Sequence, residues 1–183
     1  MKRSTITRYF IGLMLCLAPI ALAGVGEGTS QAAPVAKMAP DGSGLALEYL
    51  GAGGKREKEI IPVHQAGAVK YFSAGVGQEE RAAQYPPFPL KVIFVTGPKA
   101  YLSEVAVTIT DTAGKRRLQI PGDQVAGPWL FVDLSPGTYD LAAVGPGHAQ
   151  VKARVTITKG HATTVYLRWK KETMDHKEAK RTS

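Results

Sequence analysis

Between residues 91 and 169, apolar and polar side chains change places at nearly every second position. That is the strand period, because successive side chains of an extended chain point to opposite faces. The strictest stretch is 151–158, where Val151, Ala153, Val155 and Ile157 share one face and Lys152, Arg154, Thr156 and Thr158 the other. In 104–111, Val105, Val107 and Ile109 point one way, and Ala106, Thr108 and Thr110 the other. In 163–169, Val165, Leu167 and Trp169 fall together. Residues 91–96, "KVIFVT", are apolar on both faces and predict a central strand. Weaker runs at 117–120, 129–134 and 138–144 complete a set of seven short strands punctuated by Gly and Pro. That spacing predicts an all-β protein, a single seven-stranded antiparallel sandwich.

Two turns set the expected connections. In "LSPGT", Pro136 and Gly137 occupy the central turn positions, where Pro presets φ and Gly permits positive φ. A type II turn there would join 129–134 to 138–144. Lys159, Gly160 and His161 separate the last two strands, which predicts a hairpin. A two-residue loop would set every inward residue opposite an outward one, so the loop should be odd in length. Val155 then faces Val165, Arg154 faces Tyr166, and Lys152 faces Arg168. Lys152, Arg154, Tyr166 and Arg168 are thereby expected to form one basic strip on the outer face of that hairpin. Trp129, directly after Gly127-Pro128, is expected to pack at one end of the core.

Upstream of the strands the pattern changes. Lys2, Arg3 and Arg8 precede an apolar run at 10–21, and "ALA" follows at 21–23. This predicts a secretory signal peptide at 1–23, cut after Ala23, with Ala32 a second possible cut. The expected location is therefore periplasmic or secreted, with no membrane-spanning segment left after cleavage. The only cysteine, Cys16, would leave with that peptide. Residues 24–67 are rich in small residues and mixed charge, and are expected to be a flexible spacer with little regular structure. Residues 68–89 read as a strand and a short helix, "QEERAAQ", with Glu79 and Glu80 in its first turn and prolines beyond it. Residues 90–169 are the sandwich and 170–183 a charged tail. The whole chain carries a net charge of +8, which favours anionic partners.

The segment "VAVTITDTAGKRR…GPWLFVDLSPGTYDLAAVGPGHAQVKARVTIT" resembles the carboxypeptidase regulatory-like domain, a transthyretin-like β-sandwich. Asp111, Gly114, Pro136, Gly137, Tyr139, Gly145 and Gly147 carry the resemblance. "YFSAGVGQEER" and "YLRW" are similar to a narrower set of signal-bearing proteobacterial envelope proteins with no assigned activity. The resemblance implies a fold and leaves function open, since folds host many functions. In the carboxypeptidases this sandwich is the non-catalytic appendage.

The side chains that carry chemistry are sparse. His64, His148, His161 and His176 have no acid or second His at metal-ligand spacing, and no nucleophile elbow or phosphate loop occurs. No enzyme, metal site or cofactor is expected, and export removes the usual nucleic-acid partner. The expected function is a non-catalytic interaction or accessory module of the bacterial envelope. Its partner would be an envelope protein or an anionic wall or lipid component. The alternative is an envelope carrier for a glycan or small ligand that stacks on Trp129 and Trp169. Buried tryptophans would favour the module, and exposed coplanar ones the carrier.

Overall fold

A computed structural model describes residues 32–170 except 52 and 99. The expected signal peptide, its cut after Ala23, Cys16 and residues 171–183 of the tail lie outside the described residues, and the second possible cut, after Ala32, falls at their start. The described chain is mostly β, in three sheets. Its strands are β1 (Ala36–Met38), β2 (Gly44–Leu50), β3 (Arg56–Pro62), β4 (His64–Ala66), β5 (Val69–Ala74), β6 (Leu90–Thr96) and β7 (Ala100–Tyr101). They continue with β8 (Ala106–Asp111), β9 (Arg116–Ile120), β10 (Trp129–Val132), β11 (Gly137–Val144), β12 (Val151–Ile157) and β13 (Thr163–Trp169). A single-turn helix, α1 (Gln78–Ala82), precedes β6.

β1-β2-β3 form a three-stranded sheet, β13-β6-β10-β5-β4 with β7 beside β6 a six-stranded one, and β12-β11-β8-β9 a four-stranded one. One core lies between the last two. It holds Leu90, Val92 and Phe94 of β6, Leu130 and Val132 of β10, Val107 and Ile109 of β8, and Leu141 of β11. A second core lies on the other face of the six-stranded sheet. There Phe72, Ala74 and Phe131 meet Leu45, Leu47 and Ile61 of the three-stranded sheet. "WLFV" is therefore apolar at every position because it supplies both cores: Leu130 and Val132 to the first, Phe131 with half-buried Trp129 to the second.

The alternation places side chains on the expected faces, but several strand partners differ from expectation. The segment expected to be a spacer carries β1 to β4. Its core residues, such as Leu45 and Leu47, are few and are diluted by Gly and charge. The single seven-stranded sandwich becomes two sheets around one core with a third sheet behind. The purely antiparallel arrangement is broken, because β13 runs parallel to β6. β12 and β13 are not a hairpin: β12 pairs with β11, and β13 with β6, so the 158–162 connection crosses between sheets. Crossing inverts which outer surface each strand presents, so an inward alternation on both strands is satisfied without any mutual register.

The Pro-Gly segment crosses sheets as well. β10 lies in the six-stranded sheet and β11 in the four-stranded one, so Pro136-Gly137 is a corner, not a hairpin turn. Gly137 has φ +155°, away from the value near +80° of a type II turn. A Cβ there would lie 3.5 Å from the Tyr139 ring. That ring is buried, and its hydroxyl donates to the Ser135 carbonyl at 2.9 Å, tying the strand back to the corner. Pro-Gly-x-Tyr is thus one device: the glycine takes the positive φ of the corner, and the tyrosine two residues on ties the bend closed. Tyr139→Phe should lose one hydrogen bond and about 0.5–1.5 kcal/mol. Gly137→Val should cost about 1–3 kcal/mol through backbone strain. Urea unfolding checks both, and unchanged midpoints would mean that the corner is not held this way.

Candidate functional site

The expected basic strip is divided between two surfaces. Lys152 and Arg154 of β12 stand on the outer face of the four-stranded sheet, beside Ala142 and Asp140 of β11. Arg154 is not exposed to a partner as a lone charge. Its Nε and Nη2 donate to both Asp140 oxygens at 2.7 and 3.0 Å. The hydrogen bonds from Arg154, then its charge, hold the Asp140 carboxyl below the usual range, and Asp140 raises Arg154 in return. A shallow groove of about 630 Å³ over this face is lined by Thr108, Thr110, Asp140, Lys152 and Arg154 among others. Its one bidentate pair is largely neutralised.

Tyr166 and Arg168 stand on the outer face of the six-stranded sheet instead. The register there gives three adjacent rows. Thr164, Lys91 and Phe131 are aligned in one row, Tyr166, Ile93 and Trp129 in the next, and Arg168, Val95 and Tyr101 in the third. Opposed residues share a face, so the rows build one surface across β13, β6 and the lane of β10 and β7. Ile93 and Val95 are buried at its centre. Tyr166 and Tyr101 rise beside them, 53% and 49% exposed.

Three cations on this surface sit over rings. Lys91 Nζ is 3.5 Å from the Trp129 ring centre and 5.1 Å from that of Phe131. Arg168 lies 5.4 Å from the Tyr166 ring, and Arg81 lies 5.6 Å from the Tyr101 ring. Burial lowers the Lys91 pKa. Among the described residues the ion pairs are Arg117–Asp111 and Arg154–Asp140, so none of these three cations is in one. An aromatic quadrupole holds a cation in place without cancelling its charge.

Helix α1 fixes one border of the surface. Glu80 accepts from the Gly75 and Val76 amides, and Arg81 Nε and Nη2 donate to the Gly75 and Val76 carbonyls at 2.8 and 2.9 Å. Two consecutive side chains thus clamp both sides of one loop, which explains why a helix of one turn persists. Gly75 itself has φ +93°, and a Cβ on it would come within 3.0 Å of the Trp129 indole. A small cleft of about 190 Å³ follows, lined by Gly75, Val76, Arg81, Tyr101 and Ser103 among others.

The two tryptophans differ in placement. Trp169 is 4% exposed, and its Nε1 donates to the Ala149 carbonyl at 2.7 Å, so it belongs to the core. Trp129 is half-buried beneath Lys91, and its Nε1 has no hydrogen-bond partner among the described residues. Neither is an open stacking platform. His64 stacks on Tyr71 at 5.3 Å and His148 packs near Trp169 at 6.2 Å. Among the described residues no three His, Asp or Glu side chains converge, and no helix is long and apolar enough to cross a membrane. Lys91, Arg81 and Tyr101 were not singled out in the sequence. Lys91 carries the one available signal: it is the lone charge in an otherwise apolar central strand. No family model matches the chain, and no curated protein matches it.

One acidic pair lies behind α1. Glu59 of β3 meets Glu80, and burial first, then the Glu80 charge, raise the Glu59 pKa above 4.5. A carboxyl raised on folding binds protons more tightly in the folded state, so stability rises as pH falls through the folded value toward the unfolded one. Glu59→Gln should therefore raise the Tm near pH 7.5 and leave it unchanged near pH 4. Thermal melts across that range check it, and equal effects at both ends would contradict the pairing.

Proposed function

We propose that this chain is a non-catalytic interaction module of the bacterial envelope, built on a carboxypeptidase regulatory-like, transthyretin-like sandwich. It is exported through its N-terminal signal peptide and docks an anionic partner through the Lys91–Tyr166–Arg168 face. The observation that carries this reading is the set of three cations held over aromatic rings on one border-to-border surface without an ion pair among the described residues. Uncancelled charge steers an anionic partner, and the exposed tyrosines add apolar contact area once it arrives. The face around Lys152 and Arg154 is the weaker candidate, because Asp140 already occupies Arg154. The carrier alternative loses its platform with Trp169 in the core and Trp129 beneath Lys91.

Retention of the exported protein on envelope material tests the reading. Wild type should bind at low ionic strength and be released as salt rises, since exposed charge is screened over a Debye length of about 10 Å at 0.1 M. Tyr166→Ser with Arg168→Gln should reduce retention, whereas Lys152→Gln with Arg154→Gln should change it little. Salt-independent retention, or the reverse ranking of the two double variants, would contradict it.

A further inference from the structure

The docking face ends at β13, and the edge of β13 differs from every other sheet edge in the described chain. An edge strand exposes unpaired amides and carbonyls, and proteins blunt such edges by shortness, charge or bulges. β1 and β4 are three residues long. β3 carries Arg56, Glu57, Lys58 and Glu59; β12 carries Lys152 and Arg154. β9 carries Arg116 and Arg117, and its pairing with β8 is irregular at Ile109/Thr110. β13 is seven residues long, and Thr163 to Leu167 hold no charge, only β-branched, aromatic and leucine side chains. Among the described strands it pairs with β6 alone. Its one charge, Arg168, stands next to its C-terminal end, so five consecutive residues of this edge lack the charge, shortness or irregular pairing of the others.

We propose that β13 accepts an extended acidic segment of a partner protein as an added strand of the six-stranded sheet. This rests on the docking reading above and names the partner's chemistry. Backbone pairing along β13 would supply affinity, and alternate side chains of the segment would lie beside Thr164, Tyr166 and Arg168 on the outer face. Acidic residues at those positions would answer Arg168 and, two residues on, Lys170. Charge selects this occupant over a second copy of the chain. Joining β13 to its own image would bring two sets of Lys91, Arg168 and Lys170 onto one surface, with no carboxylate from the described residues paired to any of them. Residues 171–183 are no better suited, with Lys171, Lys177, Lys180 and Arg181 against Glu172, Asp175 and Glu178.

The probe is a labelled synthetic peptide of alternating valine and glutamate, titrated into the purified chain. Its twin carries N-methyl groups on alternate amides and cannot complete a ladder. The expected result is that the first peptide binds and slows hydrogen exchange along β13, while the twin does not. Arg168→Gln should weaken binding about threefold, the scale of one exposed charge pair. Equal binding of the twin, or unchanged exchange along β13, would overturn strand addition. So would β13 protection with no peptide present in a dimeric sample, protection only by phosphatidylglycerol vesicles, or peptide binding that appears only after residues 171–183 are removed. If salt-dependent envelope retention persists while the peptide fails, strand addition falls and the docking face stands. If retention also fails, both fall.

Discussion

Phe131 stacks on Phe72 at 4.5 Å on one face of the six-stranded sheet, while Leu130 and Val132, its neighbours in β10, fill the core on the other. A strand buried on both faces cannot sit at the surface of a two-layer sandwich. It requires a layer on each side, and the three-stranded and four-stranded sheets are those layers. The remaining architecture follows. β5 divides in the same way, with Tyr71 in one core and Phe72 in the other. β6 and β13 extend past the covered part of the sheet, and there the second face reaches solvent. The proposed docking face is thus the uncovered remainder of a sheet whose centre needs cover on both sides.

The same constraint explains the composition of that remainder. Side chains on the uncovered strands still border a hydrophobic layer, so Ile93 and Val95 remain buried between taller neighbours. Those neighbours must be apolar below and wet above. Tyrosine, lysine and arginine meet that demand, with apolar bodies and polar ends. Cations over rings are the natural packing there, and no ion pair among the described residues cancels their charge. The residues that fold this face are the ones proposed to dock, so the face would be fixed in place before any partner arrived.

The sequence made the faces legible and the partners illegible. Alternation assigned Val155, Ile157, Leu167 and Trp169 inward and Lys152, Arg154, Tyr166 and Arg168 outward, as found. It carried no information on which strand lies beside which. A one-residue parity argument holds only if two strands are neighbours, and β12 and β13 are in different sheets. Lys152 and Arg168 therefore mark two surfaces where one was expected. The all-apolar "KVIFVT" and "WLFV" signalled burial on both faces, but the cover came from 36–62, where Gly44, Gly51 and a charge run mask the strands. Glu57 and Glu59 stand in register with the inward Leu47 and Tyr49, and a polar residue on an inward position hides a strand from periodicity. The cation–ring pairs depend on cross-strand register and were beyond reach of spacing alone.

The central claim is that the last strand joins the sheet of β6 and β10, placing Tyr166 and Arg168 with Lys91 and away from Arg154. Backbone nuclear Overhauser contacts in the full chain test it most directly. The account predicts parallel-strand contacts linking Thr164 with Lys91, Tyr166 with Ile93 and Arg168 with Val95. Antiparallel contacts linking Tyr166 with Arg154 and Arg168 with Lys152 would contradict it, since they would restore a hairpin and unite the two basic surfaces.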